Sequence, residues 1–168
     1  MYKMSASAIY EEHIYSKWLS IALGIVICIL FGILIYQRLV GPVGTHPAAG
    51  WVLVAIALLL LAVTVNFATL TIRLTTGGIC VGYGIIKHTV PWGNVADCYE
   101  DKASTVWYGG FGIRLGLVNG KRRLVYNTIG NPRVVIRQRQ GKVQEFVFST
   151  CNPEKVMRTI KERIGVRG

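Results

Sequence analysis

The stretch Trp51 to Ile72, WVLVAIALLLLAVTVNFATLTI, decides the architecture of this chain of 168 residues. From Val52 to Val65 it carries no charge, which is typical of a helix in lipid. From Leu70 to Leu74 polar and apolar residues alternate, which is typical of a half-buried β-strand. The sequence therefore predicts that a membrane part ends and a water-soluble module begins between Asn66 and Leu70, with no room for a flexible linker.

A second uncharged run, WLSIALGIVICILFGILIY, precedes this stretch at residues 18–36. A helix of that length spans a hydrocarbon core of about 30 Å, and Trp18 and Tyr36 stand at its ends, where aromatic rings favour the headgroup level. The run is too long for the apolar part of a signal peptide. Pro42 and Pro47 interrupt the connection that follows. We predict a transmembrane α-helical hairpin over residues 18–68, with spans at about 18–36 and 51–67.

Small side chains recur along both spans. They let helix backbones approach closely in lipid, so we expect these faces to pack together. The predicted packing residues are Ser20, Gly24, Cys28 and Gly32 on the first span and Ala55, Ala62 and Asn66 on the second.

The distribution of basic residues predicts the orientation of the hairpin. Lys3 and Lys17 precede it and Arg73 and Lys87 follow it, whereas the turn contains only Arg38. The positive-inside bias places both termini in the cytoplasm, so we predict a multi-pass protein of the cell membrane. The four cysteines form no short-spaced pair, which favours buried reduced thiols over a disulfide framework.

Residues 1–17 form a separate N-terminal segment in this scheme. Ile9, Tyr10, Ile14 and Trp18 recur at roughly helical spacing. Two interpretations stay open, a short interfacial helix that leads into the membrane and a frayed terminus.

Residues 69–168 are predicted to form an α+β module. Alternating stretches separated by turn signals such as Asn119-Gly120 indicate about seven antiparallel strands. Asn152 and Pro153 then provide an N-cap and a first helical residue, and the apolar residues that follow recur at helical spacing up to Ile164. We expect an antiparallel barrel that is capped by a C-terminal helix.

Several motifs in this order resemble the pleckstrin-homology-like (PH-like, bacterial PH-type) domains of small prokaryotic membrane proteins with two spans. The matching motifs are Leu70-Thr71-Ile72, Gly82-Tyr83-Gly84, Val90 to Val95 (VPWGNV), Gly110 to Arg114 (GFGIR) and Phe146 to Glu154 (FVFSTCNPE). The resemblance implies a fold more than a function. Related lipid-binding domains hold phosphoinositides with basic residues at the first hairpin turn. Here that turn, Thr75 to Gly78, has no Lys or Arg, so we expect no phosphoinositide specificity.

Catalytic and metal-binding arrangements are weak in this sequence. A nucleophile pair of Cys98 and His88 lacks an accompanying Gly-rich turn, and a zinc site with Cys80 added lacks a C-x-x-C spacing and a fourth ligand. Asp97, Glu100 and Asp101 are explained equally well as a cation site and as charges that protect an edge strand. The sequence predicts no enzyme, no cofactor and no metal site.

Two groups of residues are candidates for recognition. The first group consists of basic residues on two hairpins, Lys121, Arg122, Arg123, Arg133, Arg137, Arg139 and Lys142. They are expected either to contact anionic lipid or a partner, or only to form a solvated face. The second group, Trp107, Tyr108 and Phe111, lies on a Gly-rich loop that is either a lid on the barrel or a recognition surface.

The sequence predicts a membrane-anchored binding or adaptor module that acts at the cytoplasmic face. Its partner would be a protein segment or a second copy of the chain. Residues 73–168 hold 16 of the 19 basic residues and six of the eight acidic ones, a net charge of 16 − 6 = +10. The alternative function is therefore electrostatic sensing of anionic lipid headgroups. No nucleic acid is expected as a partner, because no known binding motif is present.

Overall fold

The computed structural model describes residues 8–42, 49–104, 110–118 and 120–165. The chain divides into two compact units. One unit comprises Tyr15–Thr69, and the other comprises the chain before and after it, so the first unit is an insertion in the second.

The inserted unit contains two helices, α1 (Lys17–Leu39) and α2 (Gly50–Phe67). Both are long and apolar enough to span a membrane. Most of their large apolar side chains are exposed, which water would oppose and lipid would favour. The backbone N–H of Ser16 donates to the carbonyl oxygen of Ala68 at 2.7 Å, which joins the start of α1 to the end of α2. Only Ala68 separates α2 from the next strand, which confirms that no linker is present.

The two helices pack through a different face from the predicted one. Leu53 and Ala57 are the buried residues of α2. The prediction is wrong for Cys28, Gly32, Ala55 and Ala62, which are exposed, whereas Ser20, Gly24 and Asn66 are half-buried. A Cβ atom added at Gly24 or Gly32 would meet no atom within 4 Å, so the backbones do not approach closely there. Larger residues at heptad-like spacing, including Leu23, Ile27 and Leu34, are half-buried instead.

The other unit contains nine described strands and one α-helix. The first sheet has the order β1 (Ala8–Tyr15), β2 (Thr69–Thr75), β3 (Gly78–Tyr83), β4 (Ile86–Pro91). The second sheet has the order β5 (Val95–Glu100), β8 (Arg133–Gln138), β9 (Glu145–Ser149), β7 (Lys121–Asn127), β6 (Gly112–Val118). A 3₁₀ turn (Trp92–Asn94) connects the sheets, and α3 (Pro153–Gly165) follows β9 and packs on β5 and β8.

The described strands form two sheets that do not close into a barrel, so the predicted barrel is wrong. One pair, β7 with β9, is also parallel, which the prediction of an antiparallel module excluded. A parallel pair needs a crossover between its two strands. Strand β8 lies in that connection and pairs with the other side of β9. The alternation within single strands does not encode such an order.

Residues 8–15 form strand β1 and not the interfacial helix that was one interpretation of this segment. His13 Nδ1 lies 3.1 Å from Thr71 Oγ1, and Arg73 Nε donates to Glu11 Oε1 at 2.7 Å. These contacts run in opposite directions along β1 and β2, as in an antiparallel pair. The chain therefore leaves the sheet at the end of β1 and returns to the neighbouring strand after α2.

Glu12 fixes β1 to the turn before α3. Its carboxylate accepts hydrogen bonds from Thr150 Oγ1 at 2.6 Å, from the backbone N–H of Cys151 at 2.6 Å and from Tyr10 Oη at 2.8 Å. Burial alone would raise the pKa of Glu12, but these donors outweigh it and hold the pKa below its usual value. The pKa of Tyr10 rises to about 12 because its hydroxyl is buried beside this carboxylate.

The apolar core lies between the sheets and α3. Tyr126 stacks on Tyr83 of the first sheet and meets the ring of Phe146 edge-on. Val156 and Ile160 of α3 are fully buried. Tyr83 Oη donates to the carbonyl oxygen of Asn127 at 2.7 Å, a direct bond between the two sheets.

Candidate functional site

The four strands at the edges of the two sheets differ in how they are protected against pairing with another chain. Charged residues, proline and bulges at an edge oppose such pairing. Three edges carry these features: β1 has Glu11, Glu12 and His13, β4 has Lys87 and Pro91, and β5 has Asp97 and Glu100 with a register shift after Val95. Strand β6 has a single charged residue, Arg114.

Strand β6 also exposes large apolar side chains. Leu115 is 78% exposed and Leu117 is 66% exposed. Within the described chain β6 pairs with β7 alone, in a regular antiparallel register from Gly112 with Asn127 to Val118 with Lys121. No second described strand pairs with its other edge, which lies beside this apolar surface. This combination is what a protein that binds an added β-strand offers.

The predicted patch of seven basic residues is divided between the interior and the surface. Arg123 is buried, and its Nε donates to Glu145 Oε2 at 2.7 Å. Lys121 Nζ donates to the other oxygen of that carboxylate at 3.1 Å. Arg133 Nε lies 2.9 Å from Asp101 Oδ2. For Arg123 and Arg133 the prediction of an exposed contact surface is wrong, because their side chains are largely buried against carboxylates inside the module. Lys121 stays 43% exposed, but Glu145 partly neutralises its charge.

Asp101 and Glu145 therefore belong to a buried ion-pair network. Asp101 Oδ1 lies 3.4 Å from Arg123 Nη1, and Tyr99 Oη donates to Glu145 Oε1 at 2.9 Å. Burial would raise the pKa of Glu145, but Lys121, Tyr99 and Arg123 outweigh it and hold the pKa below its usual value. Asp101 is thus not one of the solvated charges of an edge strand that the sequence suggested. Its role is internal.

The remaining four basic residues point outward. Arg122, Arg137, Arg139 and Lys142 are exposed, and Arg137 lies over the ring of Tyr99 at 5.8 Å. The parallel register of β7 and β9 brings Arg122 and the turn between β8 and β9 to the same end of the second sheet. Arg122, Arg139 and Lys142 form a smaller basic cluster at that end.

A cleft of 530 Å³ lies beside the ion-pair network, between the end of β5 and the start of β7. Its lining residues are Tyr99, Glu100, Asp101, Lys102, Ala103, Val118 and Arg123. The lining surface is largely apolar, and its buried charges, Asp101 and Arg123, are paired with each other. The cleft adjoins β6 through Val118.

The predicted aromatic loop can be placed only in part. Trp107 and Tyr108 lie outside the described residues. Phe111 is 42% exposed, and its carbonyl oxygen accepts a hydrogen bond from Arg114 Nε at 3.3 Å. Phe111 therefore lies directly before the first residue of β6, Gly112.

The residues considered for catalysis and metal binding are not brought together. In the first sheet Cys80 pairs with Thr89 and His88 with Val81, so neighbouring positions place Cys80 and His88 on opposite faces. Cys98 Sγ donates to the carbonyl oxygen of Met157, and burial raises its pKa to about 11, which opposes a nucleophilic role. All four cysteines are free thiols, but Cys28 and Cys151 are exposed, against the expectation of burial. Among the described residues no group of three His, Cys, Asp or Glu side chains is arranged to hold a metal ion.

The sequence alone does not distinguish the apolar side of β6 from that of a covered strand. The alternation of Ile113, Leu115 and Leu117 with Arg114 and Gly116 is typical of a strand that buries one face. In the structure β6 is the last strand of the second sheet, and Leu115 and Leu117 on this face are exposed. Comparison of the chain with families of known proteins, with characterised proteins and with solved structures gives no match.

Proposed function

We propose that this chain is a membrane-anchored binding module of PH-like type, in which β6 receives an extended protein segment as an added strand. The observation that supports the proposal is the edge of β6, where Leu115 and Leu117 are exposed and no second described strand pairs with the backbone. Added strands gain affinity from backbone hydrogen bonds and specificity from alternate side chains. An adaptor role fits such an edge, because strand addition holds a partner without a reacting group.

The two apolar helices are the proposed anchor. Their exposed side chains require lipid, and their ends on the module side are joined at Ser16 and Ala68. The excess of basic residues on both sides of the hairpin supports a multi-pass arrangement in the cell membrane with both termini in the cytoplasm. The module then acts at the cytoplasmic face.

Photo-crosslinking in intact cells tests the proposed recognition edge. A photoreactive phenylalanine analogue replaces Leu117 in one variant and Ile86, an exposed residue of the protected edge β4, in the matched control. We expect a crosslinked protein product from position 117 and none from position 86. Adding Leu115→Lys to the first variant should abolish the product, because the charge lies on the same face.

The crosslinked protein is then purified and added to the full chain in mild detergent. We expect amide hydrogen exchange of residues 112–118 to slow at least tenfold on addition, with no change in β4. Equal crosslinking at positions 86 and 117, no product at either, or unchanged exchange in β6 would refute strand addition.

The cluster of Arg122, Arg139 and Lys142 supports a second function, the sensing of anionic headgroups. Each basic residue near a membrane surface contributes roughly 1 kcal/mol of attraction to anionic lipid. The test reconstitutes the full chain in nanodiscs with and without phosphatidylglycerol and measures hydrogen exchange of residues 139–144. Anionic lipid should slow exchange in the wild type and not in a variant with glutamine at all three positions. The same exchange in both lipids contradicts this function.

A further inference from the structure

We infer that the segment received by β6 is β6 of a second copy of this chain, in an antiparallel pair whose two-fold axis passes through Leu115. This inference rests on the proposed function of β6 as an acceptor edge and names its partner. The two five-stranded sheets would join into one continuous sheet across the axis. The basis is the order of residues in β6, Gly112-Ile-Arg-Leu-Gly-Leu-Val118.

A two-fold axis at Leu115 makes this strand complementary to itself. It places Leu115 opposite Leu115 of the partner copy and Ile113 opposite Leu117. These three residues lie on one face of the strand, so the pairs form a continuous apolar row. Cross-strand apolar pairs of this kind are the units that stabilise an antiparallel sheet.

The same axis avoids the repulsion that a charged strand meets when it pairs with itself. Arg114 lies opposite Gly116 of the partner copy, so the two guanidinium groups do not face each other. Glycine at that position also leaves room for the arginine side chain. An axis at Arg114 would place the two arginines directly opposite, which is destabilising.

The backbone groups also match in this register. Alternate residues of an edge strand direct their N–H and C=O groups outward. The axis at Leu115 pairs odd-numbered residues with odd-numbered ones and even-numbered residues with even-numbered ones. Outward groups therefore meet outward groups along the whole of β6.

Anchoring in one bilayer favours this contact over pairing in solution. A seven-residue strand pair buries less than the area of about 1,000 Å² expected of a stable soluble interface. Confinement to a membrane raises the effective concentration of the two edges, as tethering does for linked modules. A weak, reversible pair is the consequence.

Cysteine crosslinking of the full chain in membranes tests the register. The background carries Cys28→Ser and Cys151→Ser, since these two of the four natural cysteines are exposed. With copper phenanthroline as oxidant, Leu115→Cys should form a disulfide-linked dimer, because residues opposite each other in antiparallel strands lie about 5 Å apart at Cα, within the range of a disulfide. Ile113→Cys alone and Leu117→Cys alone should not, whereas a mixture of differently tagged Ile113→Cys and Leu117→Cys chains should crosslink.

Substitution of Leu115 by residues of opposite charge provides a second test that does not depend on oxidation. Leu115→Lys and Leu115→Glu place like charges opposite each other at the axis, and each variant alone should remain monomeric in nanodiscs loaded with two chains. Coexpression of the two variants should restore at least a tenfold excess of the mixed dimer. Both variants should fold, since Leu115 is largely exposed.

Failure of this inference is distinguishable from failure of the proposed function. If position 117 crosslinks to a different protein and never to a second copy, strand addition stands and self-pairing is refuted. Self-crosslinking of Ile113→Cys, or a mixed dimer of the charge variants no more abundant than either variant's own dimer, also refutes the register. The expected pattern of all three cysteine variants together with charge rescue establishes the pair.

Discussion

Replacement of Glu145 by glutamine should destabilise the unit that contains the two sheets much more than replacement of its partner Lys121. The Glu145 side chain is fully buried and accepts hydrogen bonds from Arg123 at 2.7 Å, Tyr99 at 2.9 Å and Lys121 at 3.1 Å. Breaking a buried ion pair by removing one partner costs about 3–5 kcal/mol. Glutamine keeps one acceptor oxygen, and Arg123 keeps Asp101 at 3.4 Å, so we expect a loss of about 2–3 kcal/mol.

The assay is urea unfolding of the full chain in mild detergent, followed by near-ultraviolet circular dichroism. Lys121→Gln is the matched control, because its side chain is 43% exposed and can be hydrated when unpaired. A half-exposed pair contributes at most about 1 kcal/mol. If Glu145→Gln costs no more than Lys121→Gln, the carboxylate is not the centre of a buried network and the reasoning fails.

A double variant separates the pair from its surroundings. Arg123→Met with Glu145→Leu removes both charges and fills the space with apolar atoms. Replacement of a whole buried pair in this way is often neutral or stabilising, so we expect stability within about 1 kcal/mol of the wild type. The free-energy costs of Arg123→Met alone and of Glu145→Leu alone should therefore sum to much more than the cost of the double variant. A double-variant cost equal to that sum would contradict a direct pair.

The pH dependence has a definite sign. The pKa of Glu145 in the folded state lies below its usual value of 4.5, so its contribution is fully present above that pH and is lost as pH falls through the folded-state pKa. The difference in stability between the wild type and Glu145→Gln should be constant from pH 6 to pH 8 and should shrink below pH 4.5. A difference that grows on acidification would refute the assignment.

Two further predictions concern the N-terminal strand and the buried thiol. Glu12→Gln should raise amide exchange in residues 8–15 about tenfold, because a neutral amide accepts weaker hydrogen bonds from Thr150 and the Cys151 N–H. The control is Glu11→Gln, which alters an exposed ion pair of the same strand. Equal effects of the two substitutions would contradict the anchoring role of Glu12. Cys98 should react with iodoacetamide at pH 8 only after unfolding, since a pKa of about 11 leaves roughly one thiol in a thousand ionised. Rapid labelling of Cys98 in the folded chain, measured by mass spectrometry of its peptide, would contradict its burial.

Local patterns in the sequence predicted most elements of the structure. The two apolar runs correspond to α1 and α2, and the turn signals at Thr75 to Gly78 and at Pro91 to Asn94 separate strands as expected. These features depend on neighbouring residues, which is why they are visible in one sequence. The order of strands in the second sheet depends on contacts between distant segments, and no local pattern contains it.

Strand β1 shows how a local pattern can be ambiguous. Tyr10 and Ile14 share one face of a helix, because they are four residues apart, and they also share one face of a strand, because four is even. The residue between them on the strand's inner side is Glu12, whose charge conceals the alternation. Its partners, Thr150 and Cys151, lie at the other end of the chain, so the reason for an inward carboxylate is absent from the neighbouring sequence.

The basic residues show a different limit, since a count of charges does not say which charges are available. The sequence placed seven of them on two hairpins as one surface, but the pairing of β7 with β9 sets Arg123 beside Glu145. Three of the seven, Lys121, Arg123 and Arg133, pair with carboxylates of the module. The basic residues that remain for contact with a partner lie mainly at one end of the sheet. The same sheet order leaves β6 at an edge with its apolar face uncovered. The strand order of the second sheet therefore weakens the case for lipid as the main partner and supports recognition of a strand.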